Sequence, residues 1–206
     1  MTIALIDYKA GNLTSVTKAL VAVGAAVLVP ASPRDLASAD GVVVPGVGHF
    51  NATRALDQTW IDAIHGHIER ARPLLGICLG MQWLFESSAE APELRGLGLL
   101  PGACFRLGST VLLSAGMKVP HVGWNSIRVE RDGWVVEGVP DGAQVYFTHS
   151  YAAPVTGDAI GVTDHGTPFA AIVQRGQVAG VQFHPEKSGD VGLRILRNFV
   201  TLSRRH

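Results

Sequence analysis

Short, unbroken apolar runs alternate with segments of helical spacing along the first half of the chain, and this alternation restricts its folding more than any other feature. Residues 3–6 form one such run, ending at Asp7. Over 13–23 the apolar residues Leu13, Val16, Leu20 and Val23 fall along one helical face, and Gly24 stops the helix. Residues 26–29, 42–44 and 74–77 read as further strands. The spacing predicts a long helix over 51–70 and a shorter one over about 79–86. Strands that are apolar at every position are covered on both faces, which implies a parallel sheet flanked by helices.

Past Pro92 the pattern changes. Phe105 and residues 127–129, 145–147, 170–173 and 178–183 read as strands joined by Gly and Pro turns. Residues 171–178 look like a hairpin, and 191–200 reads as a closing helix. No repeat, low-complexity tract or linker interrupts the chain. The expectation is therefore one α/β domain over 1–206, a mainly parallel sheet flanked by helices with an antiparallel addition. Sites in such sheets lie at the carboxyl ends of the strands. The segments after Val44, Ile77 and Phe183 are the places to search.

Composition excludes several alternatives. Lys+Arg and Asp+Glu both number 17, with no basic stripe, which argues against a nucleic-acid partner. A hydrophobic share of 47% with 17% charged residues reads as globular. The 2 cysteines, Cys78 and Cys104, make no disulfide framework, so a reduced, cytoplasmic protein is expected. The N-terminus lacks the basic region of a signal peptide. The most apolar stretch, 19–31, is broken by Gly24 and Pro30 and falls short of the roughly 20 residues that a membrane span needs.

The run Leu74-Leu75-Gly76-Ile77-Cys78-Leu79-Gly80-Met81-Gln82 passes from a strand straight into a helix. Glycine stands two places before and two places after the cysteine. This is the nucleophile-elbow pattern with Cys in place of Ser: small neighbours let a sharp turn close, and the helix N-terminus favours a thiolate. An arbitrary cysteine is more often a small core residue, and Cys104, without such a frame, keeps that reading.

A thiolate nucleophile needs an acid–base partner for the leaving group. The chain has 8 histidines, so a histidine alone says little. In Phe183-His184-Pro185-Glu186, however, the proline pushes His184 into extended backbone, where residues two apart face the same way. His184 and Glu186 can then address one site, the carboxylate orienting the imidazole. Taken alone, the segment reads equally well as a surface His and a solvated Glu. Pro45-Gly46-Val47-Gly48-His49 follows another strand, and its glycines suit a loop that aims N–H groups at an oxyanion, with the Leu79 amide as a second donor. A phosphate nest or an ordinary turn are the rivals; the full phosphate-loop pattern is absent. His49 reads as a loop residue.

Gly-Ile-Cys-Leu-Gly-Met-Gln with a downstream His-Pro-Glu resembles the class I, or triad, glutamine amidotransferases, of flavodoxin-like fold. Residues 7–13, 45–50, 120–125, 146–151 and 184–188 together resemble, within that family, the glutaminase subunits of imidazole glycerol phosphate synthases. The resemblance covers the whole chain. It implies that Cys78 forms a glutamyl thioester, that His184 moves protons and that Glu186 orients it. It places the oxyanion hole at Gly46, Val47, Gly48 and Leu79, and glutamine contacts at Gln82, Ser150 and Tyr151. It implies a (β/α)₈ cyclase partner that receives the ammonia in histidine biosynthesis, faced by Asn12, Pro120, Trp124, Tyr146 and Lys187. Trp124 and Tyr146 also read as core aromatics, and Lys187 as a solvated charge. Neither metal nor cofactor is implied. Lys9, where the family usually has Gly, and Gly189, where it often has Gln, depart from the pattern.

Two rival functions remain at this level. One is an amidotransferase subunit of another pathway, such as anthranilate or pyridoxal phosphate synthesis. The other is a catalytically silent interaction or redox-sensing protein on the same fold. The resemblance also implies regulation by the partner, with the Val47 peptide as the element that turns; in the isolated chain its amide is expected to point away from the Cys78 pocket.

Overall fold

The structure is a computed structural model in which residues 1–108 and 118–204 are described. Its elements run β1 (Thr2–Leu5), α1 (Leu13–Ala22), β2 (Ala26–Leu28), β3 (Gly41–Val44), α2 (Gln58–Glu69), β4 (Leu74–Ile77), α3 (Leu79–Trp83), β5 (Phe85–Ser88) and β6 (Leu100–Arg106). The chain continues through β7 (His121–Val129), β8 (Ala143–His149), β9 (Tyr151–Ala152), β10 (Ala159–Asp164), β11 (Pro168–Arg175), β12 (Val178–Val181) and α4 (Gly189–Ser203).

A 9-stranded sheet has the order β2-β1-β3-β4-β12-β11-β10-β7-β8. It is parallel from β2 through β12 and antiparallel beyond. The 3-stranded sheet β5-β6-β9 lies apart. Alternation along β1 divides the core: Ile3 and Leu5 join Val16 and Leu20 of α1 and Ile195 and Phe199 of α4, whereas Ala4 and Ile6 join Ile64 of α2 and Met81 of α3. Both faces of the parallel half are therefore covered, and β3 and β4 are buried along their whole length, as continuous apolar runs require. The hairpin is present as β11–β12, with Ile172 opposite Val181 and Arg175 opposite Val178.

Three expectations are corrected. The helix over 51–70 is a 3₁₀ turn, Phe50–Ala55, followed by α2. Asp57 makes the break, its carboxylate accepting from the N–H groups of Thr59 and Trp60 at 3.0 and 3.3 Å as an N-cap. The helix over 79–86 ends at Trp83, because Phe85 leaves it to pair with Leu100 on β6. Strands β5, β9 and β10 were not expected. In β10 the pattern is interrupted by Gly161, a position where a Cβ would press on Ile127 at 2.9 Å and where the register shifts.

The two departures from the family pattern sit in left-handed backbone. Lys9 has φ 62°, with its N–H and ammonium both donating to Asp7 at 2.9 and 2.7 Å. The loop thus keeps a conformation that favours glycine while carrying lysine. Gly189, at φ 56°, starts α4.

Candidate active site

The carboxyl ends of β3, β4 and β12, neighbours in the sheet, bring the predicted site segments together. Cys78 occupies the turn between β4 and α3 at φ 53° and ψ −108°. Such a conformation costs a non-glycine residue about 1–3 kcal/mol and persists only where its surroundings impose it. Here the Cys78 N–H donates to Val181 at 2.8 Å, and its carbonyl accepts the first helical bond from Gln82 at 3.1 Å. The flanking glycines are required by contact: a Cβ on Gly80 would run into the Val44 carbonyl, and one on Gly76 would lie 2.7 Å from the Gly80 oxygen.

His184 follows β12, its N–H donating to the Tyr146 carbonyl at 2.9 Å. Its Nδ1–H donates to Glu186 Oε1 at 2.9 Å, and both side chains are only 3% exposed. Extended backbone ends at His184; Pro185–Lys187 forms a 3₁₀ turn, so the turn rather than strand alternation brings Glu186 round. With Nδ1 committed, Nε2 is left without a well-aligned hydrogen bond among the described residues. Burial alone would lower the pKa of this imidazole. Its interactions with Cys78 and Glu186 outweigh that and hold it at about 9. A protonated base beside a cysteine is the state that acyl transfer to sulfur starts from.

The other candidate histidines behave differently. His149 lines the same cavity, but burial pushes it down to about 3. Its Nδ1–H donates to the Tyr151 carbonyl at 2.8 Å, and its Nε2 stands 3.1 Å from His121 Nδ1. His49 is exposed and its Nδ1 accepts from the Asn51 N–H at 3.1 Å, as a turn cap. Cys104 is buried, which pushes its thiol up.

The Pro45–Gly48 loop lies against Cys78, yet the amides assigned to an oxyanion hole are occupied. Leu79 N–H donates to the Gly46 carbonyl at 3.2 Å, and Val47 N–H donates to Ala10 at 3.2 Å. The Gly46 carbonyl and the Val47 N–H are the two ends of one peptide unit. A single rotation of that peptide breaks both bonds and frees both donors.

A cavity of about 270 Å³ opens at Cys78, lined by Gly48, Leu79, Gln82, Ser150 and Tyr151 among others. The Gln82 amide is already engaged, donating to the Tyr151 carbonyl at 2.8 Å and to Gln182 Oε1 at 3.1 Å. Two lining or adjoining groups escaped the sequence reading. Glu90 reaches the cavity with its carboxylate accepting from the Phe50 N–H at 2.8 Å; nothing in its surroundings in the chain marks it. Gln182, fully buried, donates to Cys78 Sγ at 3.7 Å. Its position two before His184 was the available signal.

Trp124, 57% exposed, meets the Tyr146 ring edge to face at 6.1 Å, and the Lys187 ammonium stands 5.7 Å from that ring. The reading of Trp124 as a core aromatic therefore fails. Exposed Val47 and Pro120 lie at or near the cavity rim. Asn12 is exposed and caps α1. Among the described residues, no cluster of three or more His, Cys, Asp or Glu side chains is arranged to hold a metal, and no helix is long and apolar enough to cross a membrane.

Residues 4–202 match the glutamine amidotransferase class-I family. Curated relatives named imidazole glycerol phosphate synthase subunit HisH are similar over nearly their full length. The protein from Moorella thermoacetica is 48% identical over 98% of this chain and 95% of its own. That from Natronomonas pharaonis is 46% identical over 96% and 93%. Among solved structures, PurLQS from Thermotoga maritima superposes with a TM-score of 0.75 at 18% identity, covering 97% of each chain, which speaks to the fold. The chain belongs to the class-I glutamine amidotransferase family, on the branch of the imidazole glycerol phosphate synthase HisH subunits.

Proposed function

We propose that this chain is the glutaminase subunit of an imidazole glycerol phosphate synthase, hydrolysing L-glutamine to glutamate and ammonia. The observation that carries the reading is the Cys78 elbow facing a histidine whose other nitrogen is held by a buried carboxylate at 2.9 Å. Cys78 Sγ attacks the carboxamide carbon. His184 delivers its Nε2 proton to the departing nitrogen, the C–N bond breaks and ammonia leaves a thioester. His184 then takes a proton from water, the resulting hydroxide attacks the thioester carbon, and the C–S bond breaks to release glutamate and the thiolate. Glu186 keeps the imidazole in one orientation throughout.

The Glu90 carboxylate suits the α-ammonium of glutamine, with Gln82, Ser150 and Tyr151 completing the cradle. Leu79 and Val47 supply oxyanion donors once the Gly46–Val47 peptide turns over, with Gly48 as the second hinge glycine. The occupied amides describe a resting state, which fits a subunit that works only when its partner is bound. The partner is a (β/α)₈ cyclase, docked in a heterodimer on the face bearing Asn12, Pro120, Trp124, Tyr146 and Lys187. An exposed Trp against a half-buried Tyr with a nearby ammonium has the composition of an interface centre. In this reading the 206 residues act as one glutaminase domain in the cytoplasm.

Replacing Cys78 with Ala or Ser and assaying glutamine hydrolysis in the complex tests the chemistry. Loss of ammonia release is expected, and an undiminished rate overturns the mechanism. Co-purification tests the partner. A cyclase is expected, and an anthranilate synthase subunit would move the chain to another pathway.

A further inference from the structure

Tyr8 stands in the loop after β1, 5% exposed, within the core cluster that includes Val44, Phe50 and Leu79. Among the described residues its hydroxyl has no hydrogen-bond partner. A buried donor left unmatched is costly, and its persistence asks for a reason. The hydroxyl lies directly against Gly46: a Cβ on that glycine would run into it, with Leu79 Cβ pressing from another side at 2.9 Å. Gly46 is thus clamped between Tyr8 and Leu79, and its carbonyl is the group that occupies the Leu79 amide. Burial, and after it the charge of nearby Cys78, push the Tyr8 phenol up, so the hydroxyl keeps its proton and remains a donor.

When the Gly46–Val47 peptide turns over, the Gly46 carbonyl leaves Leu79 and needs a new donor. Its oxygen swings about the α-carbon that the Tyr8 hydroxyl touches. We propose that Tyr8 is a positioning residue for this switch, its hydroxyl donating to the Gly46 carbonyl in the turned-over loop and so holding the oxyanion hole open. The inference deepens the glutaminase reading above and rests on it. It explains the orphan: the hydroxyl is matched in the working state and unmatched at rest.

The test is Tyr8→Phe in the full-length chain, co-expressed with its cyclase. Glutamine hydrolysis is measured in the isolated chain and in the complex saturated with the ribonucleotide that the cyclase converts. The stimulated kcat is expected to fall roughly five- to tenfold, the worth of one ordinary hydrogen bond, with KM for glutamine within about twofold. The melting midpoint of the isolated variant stays level or rises, since an unmatched group has been removed. A stimulation factor equal to that of the native chain overturns the assignment, and so does a lowered melting midpoint, which would mean that the hydroxyl has a partner at rest. Cys78→Ser separates the two levels. If it abolishes native activity while Tyr8→Phe matches the native chain, only the Tyr8 assignment fails. If native activity survives it, the glutaminase reading fails and takes the Tyr8 assignment with it.

Discussion

Replacing Glu186 with Gln keeps the shape of the orienting group and removes its charge. In the native site Oε1 accepts from His184 Nδ1 at 2.9 Å, and with both side chains 3% exposed almost no water competes. A hydrogen bond to a charged group in such surroundings contributes about 1.5–3 kcal/mol. The imidazole itself gives a second measure. Its rise from 6.5 to about 9 is the net of burial, which opposes it, and of Cys78 and Glu186, which outweigh burial together. At about 1.4 kcal/mol per pKa unit, the imidazolium is favoured by about 3 kcal/mol. Loss of one of the two supports therefore returns His184 toward the ordinary imidazole range. It also lowers kcat by roughly 10- to 150-fold. The sign of the stability effect follows from linkage. A folded value above the unfolded 6.5 contributes stability that is complete below pH 6.5 and is lost as pH rises through about 9. The variant should melt below the native protein at pH 6 and approach it above pH 9. The assay combines stimulated glutaminase kcat, NMR titration of the His184 ring and melting curves across pH. A kcat within about threefold of native, together with an unmoved His184 titration, would refute the argument.

On the acid side, burial lowers His67 and His121 to about 4 and His149 to about 3, all below the unfolded 6.5. The unfolded chain binds more protons, so stability should fall as pH drops from 6.5 toward 4; a melting midpoint that is flat over that window would contradict it. Gly80→Ala drives a Cβ into the Val44 carbonyl, which is backbone and cannot step aside. A loss of roughly 1–3 kcal/mol is expected, read in thermal melts as roughly 2–4 °C per kcal/mol, and a neutral variant would contradict the packing. Trp124→Ala removes a 57% exposed ring and should leave the melting midpoint of the isolated chain unchanged. Titration calorimetry with the cyclase should show a loss of about 2 kcal/mol or more, and unaltered affinity would move the interface elsewhere.

The parallel half of the fold was legible because its central strands β3, β4 and β12 are buried along their whole length and so carry no polar interruptions. Cys78 was legible for a related reason: Gly76 answers to backbone atoms of Gly80 and Met81 within the elbow itself, a contact written in nearby residues, whereas Gly80 answers to Val44 on the neighbouring strand. The helix limits were not, since Asp57 and Phe85 act through a cap and a cross-strand partner that periodicity does not register. Strand β10 was hidden by Gly161, whose packing partners come from β7 and β11. Glu90 reaches the cavity through a loop with no pattern of its own. The orientation of the Gly46–Val47 peptide was legible only through the resemblance, because flanking glycines permit both directions and only the bonds to Leu79 and Ala10 choose between them. Lys9 shows the converse: residue type argued against a left-handed turn, and the bonds to Asp7 accompany it all the same.

Strand β12 lies between β4 and β11, and it is the last strand in the chain. The Cys78 N–H is held by Val181 on that strand, and Gln182, which touches the sulfur, is 104 positions away in sequence. A chain emerging from the ribosome thus exposes its cysteine long before it possesses a base. The strand that joins the parallel and antiparallel parts of the sheet is also the one that holds the nucleophile's backbone and leads into its base. Fragments ending before β12 carry the thiol but lack both the base, His184, and the carboxylate that orients it, Glu186.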